Sequence, residues 1–183
     1  MKKLLETPHL FLCCYEAGDA EQLKPLLSDA KTMRFWPRPF SAQQVQDWID
    51  KAMQCYEKYN IGRLAIVEKA SGEIVGDCGV VRGVFGDEEC WDLGIIMLHA
   101  FEGTGYAREA SKALVEYCFM VLKLPALRAN TPVNHKVVRL LAQRAGMKLI
   151  KIFNNPRNCD IETCLYELAA EDFFTRNQSS GPK

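Results

Sequence analysis

An α+β domain, with a mixed and mostly antiparallel central sheet of about seven strands flanked by about four helices, is the fold class this sequence predicts. Two observations predict it. Strand-like and helix-like hydrophobic patterns follow one another in the order strand, two helices, three strands, helix, strand, helix, two strands. The 183 residues are 48% hydrophobic and 25% charged, enough apolar material for one core, so residues 1–183 are expected to form a single domain.

The first strand is expected near 8–15, followed by a helix over 19–31 and a longer one over 41–59, which Ser41 can cap before Ala42. Strands near 62–69 and 73–84 flank the turn Lys69-Ala70-Ser71-Gly72-Glu73, and a second turn at Gly86-Asp87-Glu88-Glu89 leads to a strand over 89–98. A helix over 106–123, a strand at 126–132, a helix at 136–145 and strands at 147–154 and 160–168 complete the order. The polar residues 177–183 are expected to fray.

Composition excludes several function classes. The formal net charge is zero and no Lys/Arg run occurs, so no nucleic-acid footprint is expected. The eight cysteines, at 13, 14, 55, 78, 90, 118, 159 and 164, form no Cys-x-x-Cys pair and fall largely within strand and helix patterns, which predicts reduced, buried thiols. Met1-Lys2-Lys3-Leu4-Leu5 begins like an export signal, but Glu6, Pro8 and His9 interrupt it, and no run nears the roughly 18 apolar residues of a membrane span. A cytoplasmic protein without a membrane partner is the expectation. With three scattered histidines, no metal site is expected.

The segment from Trp91 to Ala110 is the most informative. An apolar strand pattern through Ile95, Ile96, Met97 and Leu98 runs into Gly103-Thr104-Gly105 and then directly into a helix pattern. Glycines there allow unusual φ values and close backbone approach, and the unpaired N–H groups of the helix start point into the turn. Such fixed donors suit a pyrophosphate. A plain tight turn between strand and helix is the other reading. A dinucleotide fingerprint is excluded because Arg108 occupies its third glycine position, and a P-loop because Gly-Lys-Ser/Thr is absent.

Glu102-Gly103-Thr104-Gly105-Tyr106-Ala107-Arg108-Glu109-Ala110 resembles the acyl-coenzyme A loop of the GNAT acetyltransferase superfamily, in the form aromatic-Gly-x-Gly-Tyr-Ala-x-Glu-Ala. The resemblance covers about Thr7 to Leu168 and points to the ribosomal-protein N-terminal acetyltransferase-like (RimJ/RimL-like) branch. Asp19-Ala20-Glu21, Met33-Arg34-Phe35-Trp36 with Pro39-Phe40-Ser41, Ile74-Val75-Gly76-Asp77, Asn134 and Gly146-Met147 fall in the order of that branch's landmarks. It implies a GNAT-like domain that binds acetyl-coenzyme A and an amine, as a monomer or homodimer. The implied cofactor-binding residues are Ile95, Ile96, Met97, Glu102, Gly103, Thr104, Gly105, Tyr106, Ala107, Arg108 and Asn134. Arg34 and Trp36 are the implied acceptor-side residues, while Trp48 and Tyr56 read first as core. His99 and His135 read as solvent-facing before they read as phosphate contacts.

Asp92 stands where the branch carries a Glu on this strand, which makes it the candidate general base, acting through water. The other reading is a structural carboxylate bound to backbone, Arg128 or Arg82. Glu88 and Glu89 are alternatives, and Cys90 has no local His to activate it. The Tyr acid common in the superfamily is missing, since the matching register offers Leu141 or Ala142. A thiol of pKa about 8.5 can still leave as thiolate with water's help.

Weak base machinery favours an acceptor that is already neutral. An α-amine of pKa about 7.7–8.0 meets that condition near pH 7.4, whereas a lysine is neutral about once in a thousand, a cost of roughly 4 kcal/mol. A protein N-terminus or a small-molecule α-amine is therefore the expected acceptor. The loss of the Tyr acid and the shorter carboxylate keep open a degenerate acyl-coenzyme A sensor or interaction module.

Overall fold

In the computed structural model, which describes residues 1–85 and 88–178 and, of Arg157, the backbone alone, the chain order is β1 (Lys2–Glu6), β2 (Leu10–Cys14), α1 (Ala20–Leu27), α2 (Ala42–Tyr59), β3 (Arg63–Glu68), β4 (Ile74–Phe85), β5 (Glu88–Met97), α3 (Tyr106–Met120), β6 (Ala126–Pro132), α4 (Lys136–Ala145), β7 (Lys148–Asn155), β8 (Ile161–Ala169) and α5 (Ala170–Gln178). The strands join in the order β1-β2-β3-β4-β5-β6-β8-β7. β1/β2, β2/β3, β3/β4, β6/β8 and β7/β8 pair antiparallel, and β5/β6 pairs parallel. This is the expected α+β class with a mixed, mostly antiparallel sheet, with one strand and one helix more than expected.

The chain divides into two compact units, residues 1–81 with 94–114, and residues 82–93 with 115 onward. In the first, β2 and β3 present Leu10, Leu12, Leu64 and Ile66, all fully buried. α1 and α2 contribute Leu23, Leu26, Leu27, Val45, Ile49 and Ala52 to a core that also holds Tyr15, Met33 and Ile96. Burial of each large aliphatic side chain stabilises by about 1.5–3 kcal/mol. On α2 the positions 45, 49, 52 and 56 recur at helical spacing, so one face turns inward. Ser41 closes a capping box with Gln44 at the start of α2, and Asn60 ends it in the left-handed region at φ 57°.

β1 escaped sequence reading because an edge strand needs little apolar content: Lys2, Lys3 and Glu6 face solvent while the backbone pairs with β2. α1 stops at Leu27 rather than at 31. Pro25 lies inside it, and beyond Ser28 the Asp29 carboxylate accepts from Thr32 N at 2.7 Å and from Thr32 Oγ1 at 2.6 Å, which turns the chain.

In the second unit β6 pairs with β8 from Ala126↔Ala169 to Pro132↔Thr163, and β7 flanks β8. α4 has the expected bounds and ends on Gly146, whose φ of 93° only glycine adopts readily. α5 follows β8 without a loop, and Phe173 stacks on Phe119 with ring centroids 4.8 Å apart. Phe173 is the one buried side chain of α5, too little for a hydrophobic period. The expected tail at 177–183 is corrected at Asn177 and Gln178, which are helical, and otherwise lies outside the described residues, as do Gly86 and Asp87 of the second turn. All eight cysteines are free thiols; Cys13, Cys78, Cys90, Cys118 and Cys164 are buried as expected, Cys14 and Cys55 half-buried, and Cys159 exposed. Burial pushes the Cys118 thiol up to about 12.

Candidate functional site

In the first unit the end of β5, one 3₁₀ turn at His99–Phe101 and the start of α3 form a strand–turn–helix. Gly76 of β4 lets β5 come close, since a Cβ there would lie 2.7 Å from Ile96 O and 2.8 Å from Met97 Sδ. Ile96 is buried, and Ile95 and Met97 are half-buried.

Gly103 and Gly105 both adopt positive φ, 83° and 91°, and nothing lies within 4 Å of where a Cβ would sit on either. The space above the turn is open. The first intrahelical bond of α3 runs from Glu109 N to Gly105 O at 3.0 Å, so the N–H groups of Tyr106, Ala107 and Arg108 have no helical acceptor. Tyr106 N reaches only Thr104 Oγ1, at 3.4 Å. Open space over left-handed glycines, backbone donors and the positive end of a helix dipole fit a pyrophosphate.

Side chains hold this turn in place. Tyr106 donates its hydroxyl to Glu68 Oε1 at 2.7 Å and stacks between Phe101 and His9 at 6.3 and 6.2 Å. Glu109 accepts from Thr7 Oγ1 at 2.5 Å and from His9 N at 2.8 Å, with His9 Nδ1 at 2.9 Å. Arg34 grips Glu102 with both terminal nitrogens, at 2.8 and 3.0 Å, and holds that carboxyl below its usual range. An expected acceptor-side residue and an expected cofactor-loop residue therefore meet. Trp36 is half-exposed and packs edge-on against Phe40 and Trp48, at 5.5 and 6.0 Å. Arg108 and His99 face solvent.

The same unit holds a buried polar cluster that sequence reading missed. Asp77 is fully buried and accepts from Tyr15 Oη at 2.7 Å, Trp48 Nε1 at 3.1 Å and Arg63 Nε at 2.7 Å. Tyr56 donates to the Arg63 carbonyl, and accepts from Tyr15 N at 3.1 Å. Burial opposes the charge on Arg63, but Asp77 outweighs it and raises that guanidinium above its ordinary value. Trp48 and Tyr56, expected as core, are core with polar tasks.

In the second unit Asp92 pairs in register with Arg128. It is half-buried, and Asn130 Nδ2 approaches its two oxygens at 3.2 and 3.3 Å. Asn130 was not singled out in the sequence, where the structural reading of Asp92 offered backbone, Arg128 or Arg82. Arg128 is bonded to Glu167 and Glu88, at 2.7 Å each, and Arg82 to Glu89, so Glu88 and Glu89 are ion-paired. Burial, then Asp92, raises the Cys90 thiol, which argues against a thiolate nucleophile. Asn134 is exposed in the turn before α4, with His135 at the helix cap. Leu141 and Ala142 occupy the register where a Tyr acid was looked for, and Ala142 is buried. No group of three or more His, Cys, Asp or Glu among the described residues is arranged to hold a metal. No helix among them is long and apolar enough to cross a membrane.

A strand-turn-helix with open glycines on a mixed sheet fits the class of acyl-coenzyme A-dependent transferases. The chain belongs to the acetyltransferase (GNAT) domain family, which it matches over residues 9–148. It is similar to the uncharacterized protein YkkB of Bacillus subtilis, 26% identical over 159 residues that span 85% of this chain and 92% of that one. Among the solved structures that share the fold, two are informative. One is a candidate ribosomal-protein-serine acetyltransferase from Vibrio cholerae, with TM-score 0.73 and 21% identity over 92% of this chain and 99% of that one. The other is the microcin C7 self-immunity acetyltransferase MccE, in complex with acetyl-CoA and AMP, with TM-score 0.72 and 17% identity over 88% and 93%.

Proposed function

We propose that residues 1–183 work as one N-acetyltransferase domain of the RimJ/RimL-like branch, transferring acetyl from acetyl-coenzyme A to an α-amine of a protein N-terminus or a small molecule in the cytoplasm. The open turn at Gly103 and Gly105, ahead of the unpaired N–H groups of α3, is the observation that carries the reading. Family membership and the complex of MccE with acetyl-CoA support the cofactor. The Vibrio cholerae relative supports the branch.

In this reading the N–H groups of Gly103, Thr104, Gly105, Tyr106, Ala107 and Arg108 hold the pyrophosphate, with Glu102 fixed by Arg34. The main chain of Ile95, Ile96 and Met97 bonds the amide-bearing arm as an added strand would, and Asn134 adds a polar contact. When bound, acetyl-coenzyme A supplies an activated carbonyl. Asp92 takes a proton from the amine through water, and Asn130 fixes its orientation. Arg34 and Trp36 lie on the acceptor side. A second reading, an acyl-coenzyme A sensor without turnover, is favoured by Leu141 and Ala142 where a Tyr acid was expected.

Thermal unfolding with acetyl-coenzyme A, coenzyme A, ATP and NAD, followed by an amine screen, tests both readings. A ligand at one hundred times its Kd stabilises by about 2.7 kcal/mol. The expected result is a shift with the two coenzyme A forms only, abolished by Gly105→Val, which puts a branched side chain at φ 91° in the open space. Undiminished coenzyme A binding by that variant would refute the loop assignment, and binding without turnover of any amine would favour the sensor.

A further inference from the structure

The face of the sheet that carries Asp77 holds a charged group whose bonding is incomplete. Arg63, at the start of β3, is only 8% exposed. Its Nε and Nη2 both donate to Asp77 Oδ1, and Nη2 lies 3.5 Å from the Asp77 carbonyl. Nη1 has no hydrogen-bond partner among the described residues. Buried guanidinium donors are normally all engaged, because an unmet one keeps its desolvation cost.

Within the described cluster no acceptor is left for Nη1. Asp77 Oδ1 is occupied by Arg63, and Oδ2 already accepts from Tyr15 and Trp48. The Trp48 ring, 5.0 Å from Arg63 Cζ, covers a face of the guanidinium without accepting from its edge. Nη1 lies against Gly94 of β5, where an added Cβ would overlap it, so the glycine is what lets the guanidinium reach this strand. The atom is also not sealed: it is not among the described side-chain atoms that are both shut off from solvent and without a hydrogen bond.

Gly94 immediately precedes Ile95, Ile96 and Met97, and Trp48 packs against Trp36 at 6.0 Å. Nη1 therefore lies against the strand that leads into the segment assigned to the thioester arm, and the ring over its guanidinium packs on Trp36, the aromatic residue assigned to the acceptor side. The charge of Arg63 is already balanced by a fully buried Asp77, so a second anion would gain little and would face that carboxylate. A neutral carbonyl oxygen has no such penalty.

We propose that Arg63 Nη1 reads a carbonyl oxygen adjacent to the reacting amine, so that the acceptors are α-amino carbonyl compounds, namely peptide N-termini and amino-acid amides, rather than polyamines or simple alkylamines. This rests on the α-amine acetyltransferase reading above. Arg63 acts as a specificity residue, Asp77 and Trp48 hold its fork, and the small Gly94 leaves it room.

The test is kcat/KM per neutral amine, measured across pH, for glycinamide against propylamine, in which the carbonyl is gone, with free glycine as the anionic arm. A charge-assisted hydrogen bond predicts a glycinamide preference on the order of ten- to one-hundredfold. The preference should collapse to about threefold or less in Gly94→Ala, which displaces Nη1, and in Arg63→Lys, which keeps a cation for Asp77 but not the fork. Equal use of glycinamide and propylamine by the wild-type protein, which needs no variant to fold, overturns the inference and leaves the acetyltransferase reading standing. So does a preference that survives in either folded variant, or a clear preference for glycine over glycinamide. Acetylation of no amine at all would overturn both.

Discussion

Asp77 and Asp92 are both carboxylates on central strands, and their surroundings give them opposite capacities. Asp77 is fully buried, paired with a guanidinium, and saturated by the hydroxyl of Tyr15 and the indole of Trp48. Were it to take a proton, Arg63 would be left as an uncompensated buried cation. Burial, then Asp77, also drives the Tyr15 phenol well above its ordinary value, so that hydroxyl keeps its proton. Asp92 is half-buried, and Asn130 approaches it at 3.2–3.3 Å with a neutral amide. Of two residues with the same chemistry, saturation beside a buried cation makes one a structural pin, while the half-buried position of the other suits the role of base proposed for it.

The largest effect expected from this contrast is on stability. Asp77→Asn should cost about 3–5 kcal/mol, the cost of breaking a buried pair by removing one partner, read as a lower urea midpoint at unchanged slope. A loss under about 1 kcal/mol would mean that the cluster tolerates an unpaired Arg63 and that Asp77 is not the pin. Asp92→Asn should leave stability within about 1 kcal/mol and coenzyme A binding intact, but lower kcat on the order of a hundredfold or more and remove the acid limb of its pH profile. Wild-type kcat across pH would erase the distinction between the two carboxylates, because Asp92 would then be structural as well.

The elements that proved legible in the sequence are those whose cause is local. The turn at Gly103–Gly105 and the start of α3 at Tyr106 are set by a few consecutive residues, and α4 is bounded by its own pattern and by Gly146. The Asp77 cluster was invisible for the opposite reason. Tyr15, Trp48, Arg63 and Asp77 come from four separate stretches, and only the antiparallel register of β3 with β4 brings Arg63 beside Asp77. One signal was available: a lone Arg opening one apolar strand and a lone Asp inside the next are costly unless they meet. The contact of Asn130 with Asp92 was hidden in the same way, because it joins two strands that a helix separates in sequence.

A third carboxylate, Glu109, sharpens the scale between these extremes. It sits in the first turn of α3, where a negative charge also meets the positive end of the helix dipole. Burial pushes its carboxyl up, but bonds from Thr7 and His9 outweigh that and leave it below its ordinary value of 4.5. A folded-state value that is depressed means stability fully present above about pH 4.5 and lost as pH falls through the lower folded value. Glu109→Gln should therefore cost about 1 kcal/mol at pH 7, less than a fully buried pair because the side chain keeps 20% of its exposure. The gap between variant and wild type should close as pH is lowered from 4.5, since the wild-type carboxyl is then protonated too. Melting curves from pH 7 to pH 3 read it directly. A gap that stays constant over that range would show that the shape of Glu109, rather than its charge, ties α3 to the start of β2, and would remove it from the series that runs from Asp77 to Asp92.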